Sequence, residues 1–145
     1  MPLRYLSPIH KAARQIGLFL EPRCTELGVS TAEGHLLSYL RSYAPCPIGE
    51  IVRVFGIRPS TMTSILERLD ERGLLTRDPD PEDRRSVRVT LTREGKAVAD
   101  RINRAVRDLE QRIGARVGRS ELEGFRSVMG AVEAATGIQV RKEKS

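Results

Sequence analysis

Apolar residues recur at helical spacing almost from the first turn of this chain. Ile9, Ala13, Ile16 and Leu20 stand four, three and four positions apart, which predicts one face of a helix from about Ser7 to Glu26. Ser7 supplies a capping hydroxyl and Pro8 the first helical residue. After Leu27-Gly28-Val29, the box Ser30-Thr31-Ala32-Glu33 opens a second helix that carries Leu36, Leu37 and Leu40. It should end near Tyr43, before the break Ala44-Pro45-Cys46-Pro47. A short helix through Ile48, Ile51 and Val52 is closed by Gly56, and Arg58-Pro59-Ser60 opens another that runs to Arg72. At Gly73 the period becomes alternating. Leu74-Leu75-Thr76-Arg77, a proline-rich loop from Asp78 to Arg85, and Val87, Val89 and Leu91 predict a two-stranded hairpin with a long charged tip. Thr92 then caps a helix with Val98, Ile102, Val106, Leu109, Ile113 and Val117 on its stripe. Ser120-Glu121-Leu122-Glu123 opens the last helix, striped by Leu122, Phe125, Met129 and Val132 and ended by Gly137. The fold expected is mainly α with a small β-hairpin wing, and only Arg141 to Ser145 reads as a frayed, charged tail.

The middle of this series carries the functional signal. While the helix after Arg58 buries Met62, Ile65, Leu66 and Leu69, it offers Ser60, Thr61, Thr63, Ser64 and Arg68 on its other surface. Short polar side chains let a helix backbone approach the floor of the DNA major groove, where hydroxyls and a guanidinium bond base edges and phosphates. Preceded by a short helix and a glycine-containing turn, it suits the second helix of a helix-turn-helix. The plainer alternative is an amphipathic helix whose solvent face is rich in serine and threonine.

The hairpin downstream favours the DNA reading. Its loop is acidic and proline-rich, which alone would repel a polyanion, but Arg84 and Arg85 close it. Asp83, two residues before Arg85, can accept a hydrogen bond that extends the guanidinium from the tip, toward the narrow minor groove beside the recognition helix. The alternative is a solvated Asp83–Arg85 pair contributing about 0 to 1 kcal/mol.

Three stretches together resemble the MarR family (multiple antibiotic resistance regulators) over nearly the whole chain. They are Gly49-Glu50-Ile51 through Gly56-Ile57-Arg58-Pro59-Ser60-Thr61-Met62-Thr63, then Leu69-Asp70-Glu71-Arg72-Gly73-Leu74-Leu75, then Asp83-Arg84-Arg85-Ser86-Val87-Arg88-Val89-Thr90-Leu91-Thr92-Arg93-Glu94-Gly95. The resemblance implies a homodimer of winged helix-turn-helix subunits reading the halves of a palindromic operator in double-stranded DNA. Residues 30–92 would form the winged module, and residues 1–29 and 93–140 the dimerisation helices of a single domain spanning 1–145. Stripes at both chain ends that exceed what the central module can cover already ask for a partner surface. By the same likeness Arg85 would enter the minor groove, Asp83 would orient it, and Ser60 to Ser64 with Arg68 would read the major groove. Arg58, Arg77 and Arg84 complete the DNA-facing set. The Arg58-Pro59 start departs from the family's more ordinary one, so the base preference does not carry over.

Charge and cysteine content refine this picture. A net charge of +6 favours a polyanionic partner, and 21 of the 25 basic residues are arginine, whose planar fork suits phosphate and base edges. No apolar run approaches a membrane span, and the N-terminus lacks a signal-peptide pattern, so a cytoplasmic protein is expected. Cys24 and Cys46 read as isolated reduced thiols, with a redox sensor as the alternative. Members of the resembled family commonly release DNA on binding a small aromatic or anionic effector; His10, Arg14, His35 and Tyr43 are the candidates to line its crevice. No phosphate loop, nucleophile elbow or HExxH pattern is present, so no catalysis is expected, and neither a cofactor nor a metal. The rival from another class is a winged-helix module used for protein contacts, with no operator of its own.

Overall fold

The computed structural model describes residues 1–140. The charged tail expected at Arg141 to Ser145 lies outside the described residues. The elements run α1 (Leu6–Glu26), α2 (Thr31–Tyr43), β1 (Cys46–Pro47), α3 (Ile48–Phe55), α4 (Pro59–Glu71), β2 (Leu75–Pro79), β3 (Val87–Leu91), α5 (Arg93–Gly114) and α6 (Arg119–Thr136). Mainly helical with a small sheet, this is the architecture expected.

Local signals set most boundaries. Ser30 Oγ accepts from the Glu33 N–H at 3.1 Å while the Glu33 carboxylate accepts from the Ser30 N–H at 3.0 Å, a complete capping box. Gly56 ends α3 with φ +61, a left-handed conformation that glycine adopts without steric cost. Thr92 Oγ1 caps α5 through the Gly95 N–H.

Four features differ from the sequence reading. The sheet has three strands in the order β1-β3-β2, because Cys46 and Pro47 pair antiparallel with Val89 and Arg88. Val87, expected on the inner face with Val89 and Leu91, is exposed, since the outer wing has nothing beneath it. α1 begins at Leu6, with Ser7 inside its first turn accepting a hydrogen bond from the Leu3 N–H instead of capping the helix. α6 begins at Arg119, because Glu121 reaches back to the Gly118 N–H at 2.6 Å and moves the cap two residues ahead of Ser120.

The core runs from the end of α1 to the first half of α5. Leu36, Leu37, Leu40, Ile51, Met62, Leu66, Leu69, Leu75, Val89 and Ile102 are fully buried there, with Cys24 and Cys46 among them. Gly34 admits Cys24 to this core: a β-carbon on it would meet the Cys24 Sγ at 2.5 Å. Both chain ends contrast with this. On the α1 stripe only Leu20 is buried, α6 has no buried residue, and Leu6, Ile16, Ile113, Val117, Leu122 and Phe125 remain exposed. Among the described residues no helix is long and apolar enough to cross a membrane.

Candidate nucleic-acid interface

The helix-turn-helix pair is α3 and α4. Pro59 occupies the first helical position of α4, where its missing N–H costs no bond, and Arg58 precedes it as an extended cap residue. With Met62, Ile65, Leu66 and Leu69 buried, Ser60, Thr61, Thr63, Ser64 and Arg68 are all exposed. Thr63 Oγ1 donates to the Pro59 carbonyl at 2.9 Å and Ser64 Oγ to the Ser60 carbonyl at 3.2 Å. Those hydroxyls therefore turn acceptor lone pairs outward, the complement of the amino groups on cytosine and adenine edges. Glu67, one turn on from Thr63 and Ser64, is exposed on the same helix and was missed by the sequence reading; it adds a strong acceptor. Arg53 on α3 is exposed as well.

The wing is β2, β3 and their loop, paired from Leu75 with Leu91 out to Pro79 with Val87. Short-range bonds shape its tip: the Asp80 N–H donates to the Ser86 carbonyl at 2.9 Å, the Ser86 N–H to the Asp83 carbonyl at 3.0 Å, and the Glu82 N–H to Asp80 Oδ1 at 3.0 Å. Asp83 Oδ1 accepts from the backbone N–H of Arg85 at 3.0 Å. That corrects the expected geometry. An aspartate two residues ahead bonds the nearer backbone N–H, so Asp83 folds the turn and leaves the guanidinium of Arg85 to solvent. Arg84 and Arg85 are both exposed. Arg77, placed with the DNA-facing set, instead bonds Asp70 of α4 at 3.0 Å.

The four crevice candidates separate. His35 and Tyr43 line one opening of about 380 Å³ with Leu20, Tyr39, Phe55 and Ile102, between α1, α2, α3 and α5. His10 and Arg14 are exposed on α1 and do not line it. Tyr39 stacks tilted on Tyr43 at 4.5 Å and meets Phe55 edge-on at 5.6 Å. Burial pushes the His35 pKa below its usual value, so the imidazole there is neutral at physiological pH. Burial also pushes the Cys24 thiol up, opposite to the direction that activates a thiolate. Cys46 Sγ donates to the Tyr43 carbonyl at 3.0 Å. Among the described residues no group of three or more His, Cys, Asp or Glu is placed to hold a metal ion.

The fold has counterparts among known proteins. Residues 29–87 match the MarR family model. The HTH-type transcriptional regulator PecS of Dickeya dadantii is 32% identical over 136 residues, 91% of this chain and 81% of PecS. Among solved structures, S. aureus MepR in its DNA-binding conformation superposes with a TM-score of 0.84 at 16% identity, covering 92% of this chain and 99% of MepR. A mutant of E. coli MarR complexed with operator DNA gives a TM-score of 0.70 at 25% identity, covering 87% of this chain and 91% of that one.

Proposed function

Because the chain belongs to the MarR family of transcriptional regulators, we propose that it acts in the cytoplasm as a homodimeric repressor that grips a palindromic operator. α4 lies in the major groove of each half-site, with Ser60, Thr61, Thr63, Ser64 and Arg68 on bases and phosphates and Arg58 at the groove edge. Arg85, with Arg84 beside it, enters the adjacent minor groove, and Asp83 shapes the turn that presents them. The observation that carries this reading is the joint exposure of a short, hydroxyl-lined helix face and an arginine-tipped wing built onto one small core.

Residues 30–92 supply the DNA-binding module, and residues 1–29 with 93–140 the dimer contact. Exposed Leu6, Ile113, Val117, Leu122 and Phe125 support the second assignment, because apolar side chains so clustered at the chain ends are buried most simply by a second copy. The crevice at His35 and Tyr43 takes a small aromatic effector. Its walls are mainly aromatic and aliphatic, with Ser38 and Ser42 beside them; its imidazole is neutral, and no lysine or arginine lines it, so an anion would find no counter-charge there.

Selection of fragments bound from the source genome, followed by titration of the best one against a scrambled duplex, tests the proposal. A palindrome with half-sites about one helical turn apart should be enriched, with affinity falling steeply as salt rises. Binding indifferent to sequence would instead support a winged module used for protein contacts.

A further inference from the structure

Asp70 has no place in the DNA-facing surface, and its surroundings indicate what it does. It stands in the last turn of α4, and its Oδ2 accepts a hydrogen bond from Arg77 Nε on β2 at 3.0 Å. The Asp70 and Arg77 side chains are 39% and 31% exposed, so the pair is partly shielded from solvent. Among the described residues it is the one side-chain bond joining α4 to the wing strands.

The rest of the wing explains why one bond matters. Apolar packing holds the wing at its base, where Leu74, Leu75, Val89 and Leu91 are buried. Along β2 after Leu75, Thr76 to Pro79 are exposed, as is Val87 opposite Pro79, and a groove of about 390 Å³ opens between Ile48, Asp70, Arg77, Pro79 and Val87. Beyond the Asp78–Arg88 pair β1 no longer flanks β3, and the two-stranded remainder from Pro79 and Val87 outward twists and bends readily. The Asp70–Arg77 bond borders this groove level with buried Val89, just before β1 ceases to flank β3, and ties β2 there to the helix that reads the bases.

We propose that Asp70 is a positioning residue for DNA binding: through Arg77 it sets the angle between wing and recognition helix, so that Arg85 meets the minor groove while α4 occupies the major groove beside it. This rests on the winged-helix DNA reading above. Arg77 acts through this bond and not on a phosphate. The proposal predicts a sign opposite to that of simple charge. Removing a carboxylate near a polyanion should tighten binding by Coulomb attraction alone, whereas loss of the tie should weaken it.

The test compares full-length wild type with Asp70→Asn, Asp70→Glu, Arg77→Gln, Arg85→Ala and the Asp70→Asn/Arg85→Ala double variant. The probes are the selected palindromic duplex and its scrambled counterpart, at several salt concentrations, with circular dichroism confirming the folded state. Asp70→Asn should weaken palindrome binding about tenfold, within the range of coupling seen between residues in contact. Arg77→Gln should do the same. Asp70→Glu, which keeps the carboxylate, should recover most of the loss. Once Arg85→Ala is present, Asp70→Asn should add less than about twofold, because the wing contact it positions is already gone. The salt slope should fall by about one in Asp70→Asn, as for a lost phosphate-groove cation. Unchanged or tighter binding by Asp70→Asn and Arg77→Gln, or a cost that adds in full to that of Arg85→Ala, overturns the inference alone. Failure of wild type to prefer the palindrome overturns the DNA reading and the inference with it.

Discussion

Replacing Gly95 with alanine should destabilise this protein, even though alanine favours a helix interior over glycine by about 1 kcal/mol. Gly95 is buried in the first turn of α5, where a β-carbon would lie 1.8 Å from the Leu74 carbonyl oxygen and 2.8 Å from its carbon. The obstacle is backbone and cannot swing aside as a side chain would. Relief requires α5 to part from the turn between α4 and β2. That movement stretches two bonds: the Thr92 N–H to the Leu74 carbonyl at 3.1 Å, and Thr92 Oγ1 to the Gly73 carbonyl at 2.6 Å. Overpacking costs about 1 to 3 kcal/mol, and the two bonds contribute about 1 kcal/mol each. Set against the gain in helix propensity, the net loss is about 2 to 4 kcal/mol. Urea titration followed by circular dichroism at fixed protein concentration reads it as a lowered midpoint with an unchanged slope. A Gly95→Ala midpoint equal to wild type or higher would refute the close approach of α5 to Leu74.

Two further outcomes follow from burial. Phe125 is 58% exposed on α6, so Phe125→Asp should place a charge in the proposed dimer contact and yield a folded monomer in sedimentation velocity; a persistent dimer would move the contact elsewhere. His35 is held neutral by burial, so its folded pKa lies below the unfolded value near 6.5 and the unfolded chain binds more protons. Stability should therefore fall as pH drops below about 6.5 and level off beneath the folded pKa, and His35→Gln should flatten that part of the profile. An unaltered acid limb in the variant would assign the loss to other groups.

Elements whose signals are local were legible in the sequence. The Ser30–Glu33 box, the Thr92 cap and the left-handed Gly56 each act within a few residues, and all three hold in the structure. What escaped reading depends on distant partners. β1 is two residues long, contains Pro47 and shows no alternation; it exists because Val89 and Arg88 come alongside. The α1 stripe is helical as read, yet Ile9 to Ile16 find little to pack on within the chain, so periodicity identified the helix without saying what covers its face. At the wing, the Asp83–Arg85 spacing announced a bond but not which donor would make it; the donor is the backbone N–H of Arg85. The Asp70–Arg77 tie joins a helix to a strand across a turn, a separation that no helical or strand period marks. On α4, Glu67 was passed over because the reading sought short and cationic side chains, although a carboxylate also accepts from a cytosine amino group.

The two-groove grip is tested most directly by footprinting one selected palindrome with two reagents: dimethyl sulfate, which reads guanine N7 in the major groove, and hydroxyl radical, which reads sugars along the minor groove. Wild type should protect neighbouring stretches of both grooves in each half-site. Arg85→Ala should lose the minor-groove protection while keeping that of the major groove. Identical footprints from the two proteins, or wild-type protection confined to a single groove, would contradict the account.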